Sequence, residues 1–250
     1  MGELIWVGLI IGIAAYVQSC TGFGFALISI PFLSLLLDIK TSVPLVIFYS
    51  FLVSLPLSIM MRQHLCWKSI IFLFLGSLPG TFIGSKILQQ ARPEYLLISM
   101  GVVLIVYCSF ELLKKESSII VFNRFWITVV GFFSGILGGS IGESGPPVVI
   151  YTSMQGWSAD QIKSTLLCFF SIQMAGIILQ YLYDDLYNSR IVDLFLYSLP
   201  CFIVGAVFGV LTYKIIKTRQ ALYKRIIYTT LLCNGTYILI ANLVKISSQS

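Results

Sequence analysis

The sequence predicts an all-α polytopic membrane protein made of two inverted repeats of about five apolar helical segments each. Three observations predict it. Only 10% of the 250 residues are charged and 58% are hydrophobic, whereas a soluble domain carries about 25% charged residues. Charge-free runs such as Leu4 to Leu37 and Thr41 to Met61 exceed the roughly 18–20 residues that carry a helix across about 30 Å of hydrocarbon. Finally, the two halves of the chain show the same landmarks in the same order.

Ten apolar segments follow one another with short polar connections: 4–18, 23–37, 43–61, 68–89, 94–113, 124–140, 145–155, 161–182, 190–213 and 221–244. The first two share one charge-free run and are separated by the glycine break Thr21-Gly22-Phe23-Gly24. The third begins after Lys40 and ends at Arg62; Lys68 opens the fourth, and Arg92 stands before the fifth. Lys114 to Arg124 is the longest polar break and divides the chain near its middle. The seventh segment follows Gly142-Glu143-Ser144-Gly145-Pro146-Pro147. Asp184 and Asp185 close the eighth, and Lys214 and Lys245 follow the ninth and tenth. The expectation is one transmembrane domain over residues 1–250, with a first repeat at 1–115 and a second at 120–250. Glu3 stands where a signal peptide would be basic, and no Lys or Arg precedes Lys40, so a cleaved leader is not expected.

The repeat rests on spacing. Trp6 and Trp126 open the halves, and 16 positions separate each from the glycine of its break, Gly22 or Gly142. Gly80-x-x-x-Gly84 pairs with Gly205-x-x-x-Gly209, read as close helix packing. If segments alternate across the bilayer, eleven of the sixteen basic residues fall on one side: Arg62, Lys68, Lys114, Lys115, Arg124, Lys163, Lys214, Lys217, Arg219, Lys224 and Arg225. That side is predicted to be cytoplasmic, with both termini outside. Five segments per half is an odd number, so the repeats run in opposite senses, as in many secondary transporters.

Broken or re-entrant helices are expected near 19–25 and 139–147. Glycine permits the unusual dihedrals of a break, and proline suits the first turn of a helix. Segments two and seven then start at the breaks with their N-termini pointing inward. Helix N-termini carry partial positive charge and free N–H donors, so two of them make an anion site without a buried Arg or Lys. The candidate binding residues are Gln18, Ser19, Thr21, Gly22, Phe23, Gly24, Gly142, Ser144, Gly145 and Pro146. Glu143, an ionisable group inside the second break, is either a carrier of a coupling proton or a structural cap or ion pair. Lys163, Gln173 and Gln180 are pathway candidates. For Lys163 the competing reading is a snorkelling interfacial lysine, and for the two glutamines it is bonding between helices.

The runs Thr21-Gly22-Phe23-Gly24-Phe25-Ala26 leading to Pro31, Gly135-x-x-Gly138-Gly139-x-x-Gly142-x-Ser144-Gly145-Pro146-Pro147, and Gly80/Gly84 resemble the sulfite exporter TauE/SafE family of bacterial permeases. The resemblance covers nearly the whole chain. It implies an inner-membrane exporter of sulfite, sulfoacetate or related organosulfur anions. Phe25 stands where many members carry glycine, which would narrow that side of the site.

The expected partners are a small anionic substrate, the lipid bilayer, a coupling proton and a second copy of the chain, but no nucleic acid. No cofactor, metal-ligand spacing or P-loop is present. Cys20, Cys66, Cys108, Cys168, Cys201 and Cys233 read as apolar packing residues. Three classes compete: an alternating-access carrier, a passive anion channel, and a rhomboid-like serine protease suggested by Gly142-Glu143-Ser144-Gly145. The protease needs a base beside Ser144, and the one histidine, His64, falls in a predicted loop. Pro31, Pro44, Pro56 and Pro79 are candidate bend points.

Overall fold

The structure, a computed structural model, describes residues 2–113, 122–218 and 220–247, with the side chains of 214–227 and 247 outside what it describes. Ten α-helices appear among them: α1 (Gly2–Thr21), α2 (Phe25–Leu33), α3 (Ile39–Met60), α4 (Trp67–Gln90), α5 (Pro93–Leu113), α6 (Arg124–Ile141), α7 (Gly145–Ser153), α8 (Ala159–Tyr183), α9 (Ser189–Thr218) and α10 (Gln220–Ser247). One 3-10 turn, Arg62–His64, joins α3 to α4. Each helix matches one expected segment. Of the basic residues used to orient the chain, Lys114, Lys115, Lys214, Lys217, Arg219, Lys224 and Arg225 lie outside the described residues or side chains.

Eight helices are long and apolar enough to cross a membrane; α2 and α7 are not. At nine residues each they are about 13.5 Å long, under half of the roughly 30 Å core. Local chemistry sets several helix starts. Asp38 accepts the Lys40 N–H at 2.9 Å, and Asn123 accepts that of Trp126 at 3.0 Å. Ser158 and Gln161 form a reciprocal capping box on α8. Each cap satisfies a donor that the first turn leaves without a helical partner. The four expected bend points all lie inside helices, as does Pro200.

Packing partners cross between the halves: α1 lies against α9 and α4 against α6, while α3 faces α8 and α5 faces α10. Glycine allows the first two approaches. A Cβ at Gly80 would strike the Phe132 carbonyl, and one at Gly84 would lie 2.9 Å from the Cα of Gly139. On the other pair, a Cβ at Gly205 would strike the Gly12 carbonyl, and one at Gly209 would lie 2.6 Å from that of Tyr16. The expected packing role of these four glycines is therefore what the structure shows.

Burial ranks the helices. α8, α3 and α1 are the most enclosed, and α9 and α10 the least. Large apolar side chains such as Leu75, Phe82, Val106, Leu196, Phe208 and Leu243 stand exposed around the bundle. A surface this apolar needs lipid, not water, as its solvent. At the end expected to face outward, ion pairs join Lys86 to Asp184, Arg190 to Glu3 and Lys245 to Glu94. Asp184 also accepts from Ser85 at 2.6 Å and Gln180 at 2.9 Å. Burial raises its pKa, but these hydrogen bonds and Lys86 outweigh that and hold it down to about 2.

Candidate functional site at the two helix breaks

Both breaks use left-handed glycines. Gly22 and Gly24 have φ of 86° and 97°, and Gly142 has φ of 75°, a region closed to most other residues. In the first break Gln18 is the organiser. Its Oε1 accepts the Phe25 N–H at 3.1 Å, and its Nε2 donates to Ser54 Oγ at 2.6 Å. One of the free donors at the α2 N-terminus is thereby satisfied, leaving the following N–H groups of Ala26 and Leu27 at its tip. Thr21 turns back on its own loop, donating to the Val17 and Phe23 carbonyls.

The second break is held from α6. Ser134 Oγ donates to the Ser144 carbonyl at 2.7 Å, and Gln173 Nε2 on α8 donates to Ser134 Oγ at 3.4 Å. The Gly142 and Glu143 N–H groups close the last turn of α6. Pro146 and Pro147 have no N–H, so Gly145 is the main backbone donor at this tip and the Ser144 hydroxyl is the side-chain one. The two breaks touch: a Cβ on Gly142 would run into Ile30 of α2.

Between them lies a cavity of about 20 Å³ lined by Gln18, Gly24, Phe25, Ala26, Leu27, Ser50, Gly142, Glu143, Ser144, Gly145, Phe170 and Met174. Ser50 sits near the middle of α3, and Phe170 and Met174 near the middle of α8, so the cavity is halfway along the long helices. A space of this size holds about one water.

Of the residues singled out in the sequence, Gln18, Gly24, Gly142, Glu143, Ser144 and Gly145 line this cavity. Ser19, Thr21, Gly22, Phe23 and Pro146 do not. Ser19 instead faces an apolar cleft between α3 and α9. Thr21 and Phe23 border a small apolar space against α10. Phe25, expected to narrow the site, does line it, wholly buried against Tyr49 and Phe202. Leu27, Ser50, Phe170 and Met174 were missed. Ser50 leads the i, i+4 series Ser50, Ser54, Ser58 in an otherwise apolar run, and that polar stripe was a readable signal.

The three pathway candidates part company. Gln173 reaches the second break, whereas Gln180 binds Asp184 at the C-terminal end of α8. Lys163 does not line the cavity. It is 5% exposed, and its Nζ donates to the Ser19 carbonyl at 2.8 Å and the Cys20 carbonyl at 3.3 Å. Its ammonium also lies 3.4 Å from the centre of the Tyr213 ring, whose hydroxyl donates to Asp160. The buried cation thus caps the negative C-terminal end of α1. A Cβ on Gly22 would sit 2.7 Å from Lys163 Cγ, so glycine is required for this approach.

Glu143, Ser144 and Gln173 are each 1% exposed. Both carboxylate oxygens of Glu143, the Ser144 hydroxyl and Gln173 Oε1 have no hydrogen-bond partner. His64 is exposed in the 3-10 turn while Ser144 is buried, and the Ser144 hydroxyl has no hydrogen bond to it.

The family model described as sulfite exporter TauE/SafE matches residues 7–238. The chain is also similar to the probable sulfite/organosulfonate exporter TauE of Cupriavidus necator, with 25% identity over 177 residues and 68% of each chain covered. No solved structure matches.

Proposed function

The chain belongs to the sulfite exporter TauE/SafE family, and from that premise we propose that it is a secondary exporter of a small sulfur-bearing oxyanion in a bacterial inner membrane. The observation that carries this reading is the shared cavity, bounded by Gly24–Leu27 at the tip of α2 and by Gly142–Gly145 at the tip of α7. Two positive helix ends with free donors aim at one point where no lysine or arginine lines the wall. The oxyanion takes the Ala26 and Leu27 N–H groups from one side and the Gly145 N–H and Ser144 hydroxyl from the other. Sulfite and organosulfonates share the negatively charged S–O group this geometry suits.

The two-fold repeat is supported by the crossed packing. Gly80 and Gly205 meet the carbonyls of residues 132 and 12, and Gly84 and Gly209 those of residues 136 and 16. Both pairs stand the same 120 positions apart as Trp126 and Trp6. We read residues 1–115 and 120–250 as opposed repeats, with both chain ends outside. Because the cavity admits about one water, the anion enters only when the halves part, which is alternating access.

An inside-negative potential expels an anion with about 2.3 kcal/mol per charge per 100 mV, so efflux needs no nucleotide. Glu143 complicates binding. An ionised carboxylate roughly 5 Å from the substrate would oppose it by about 3 kcal/mol at an effective dielectric of 20. Neutralising Glu143, by a coupling proton or another cation, is therefore part of the binding step.

Purified protein in liposomes, loaded with unlabelled sulfite, thiosulfate, sulfoacetate or sulfate, tests the proposal. A carrier accelerates entry of labelled anion in exchange for its own substrate trapped inside. Absence of such trans-stimulation with every sulfur oxyanion refutes it, and flux without trans-stimulation identifies a channel.

A further inference from the structure

The unpartnered oxygens at the second break are all acceptors or can act as acceptors. Ser144 Oγ lies against Gly138, where any Cβ would displace it, and Ile177 of α8 is 3.2 Å from that same Cβ position. Gln173 is one helical turn before Ile177, and its amide nitrogen is bonded to Ser134, the residue that also holds the Ser144 carbonyl. Ser134 thus joins the Gln173 carboxamide to Ser144, and Glu143 is the preceding residue in the chain and lines the same cavity as Ser144. Four buried side-chain oxygens of this turn and of the α8 glutamine tied to it through Ser134 have no hydrogen bond: Glu143 Oε1 and Oε2, Ser144 Oγ and Gln173 Oε1.

A proton on Glu143 supplies one donor and leaves the remaining acceptors unmet, at a cost of about 1–3 kcal/mol for each buried one. A small cation seated among them would supply the contacts that a single proton leaves unmade. The ligands are carboxylate, hydroxyl and amide oxygens without nitrogen or sulfur, a set suited to a hard cation. They carry a single negative charge, and no group of three or more His, Cys, Asp or Glu gathers among the described residues, so the charge matches a monovalent ion. The site also adjoins the negative C-terminal end of α6.

We propose that Glu143, Ser144 and Gln173 form a binding site for a sodium-sized monovalent cation at the α6–α7 break. Resting on the reading of the adjoining cavity as the anion site, the proposal gives the ion a second role. It cancels the Glu143 charge and faces the substrate as its counter-ion, so cation and anion bind cooperatively.

Binding of radiolabelled sodium to the purified full chain in detergent, with no anion substrate present, is the test. Label is expected to be displaced by sodium chloride and not by choline chloride. Gln173→Leu and Ser144→Ala should each weaken binding by about 10-fold, and Glu143→Gln should abolish it. Circular dichroism and gel filtration confirm that each variant is folded. In liposomes, sodium in place of choline should lower the half-saturating sulfonate concentration for the wild type and not for Glu143→Gln. If no displaceable label binds while sulfonate exchange proceeds equally in choline, the cation site is overturned and the anion carrier stands. If label binds as described but no sulfur oxyanion is exchanged, the cation site stands and the carrier reading falls.

Discussion

Exchanging Gln18 for glutamate places a negative charge at the α2 tip with little change of shape. One carboxylate oxygen keeps the Phe25 N–H bond now made at 3.1 Å. The Ser54 hydroxyl, now an acceptor at 2.6 Å, rotates to donate to the other, so the fold should survive. An anion on the neighbouring N–H groups would lie roughly 5 Å from the new charge, and at an effective dielectric of 20 the repulsion is about 3 kcal/mol. That corresponds to more than a hundredfold loss of affinity, since about 1.4 kcal/mol is tenfold. The assay is exchange of a labelled sulfonate in liposomes, because a sulfonate stays ionised while the glutamate titrates. Affinity should be lost at about pH 8 and partly recovered at about pH 5, nearer the range where a carboxyl takes up its proton. Wild-type affinity at alkaline pH would refute placing the substrate at the α2 N-terminus. A uniform loss at both pH values would mean that Gln18 acts only as a cap.

Other perturbations read other parts of the structure. Asp184→Asn should remove about 2 kcal/mol above pH 4, from a carboxyl held at about 2 against the ordinary 3.8. Because the folded pKa is the lower one, the wild type should lose this stability as pH falls from about 4 toward 2, and a melting curve against pH should be flatter for the variant over that range. Gly84→Val forces a Cβ within 2.9 Å of both Gly139 Cα and Ser140 N, and should cost about 3 kcal/mol or more, read as loss of the monodisperse gel-filtration peak. Lys163→Met leaves the Ser19 and Cys20 carbonyls without their ammonium donor, and a drop of about 2–4 kcal/mol is expected. A melting temperature equal to wild type would show that the cap on α1 is dispensable.

Much of the fold could be read before any coordinates. Charge-free runs of sufficient length can only be helices in lipid, since an unpaired backbone group there costs several kcal/mol. The glycines at 22, 24 and 142 and the prolines at 146 and 147 place the interruptions, because they act on backbone dihedrals and donors that belong to the residue itself. For the same local reason the packing role of Gly80, Gly84, Gly205 and Gly209 was legible, and so was the candidacy of Gln18, Glu143 and Ser144.

What only the tertiary structure decided is which side chains share a space. A helix apolar all round carries no stripe to announce its inward face, so rotation and depth are set by how glycine ridges on α4 and α6, and on α1 and α9, let backbones close. Those contacts turn Ser50, Phe170 and Met174 into the cavity, turn Thr21 away from it, and send Gln180 to the C-terminal end of α8. They also bring Lys163 to Ser19 across 144 positions of sequence, where its ammonium meets carbonyl oxygens. Sequence determines what each residue can do alone; the partner that completes a charge or a hydrogen bond arrives from another helix, and its identity exists only once the helices are packed.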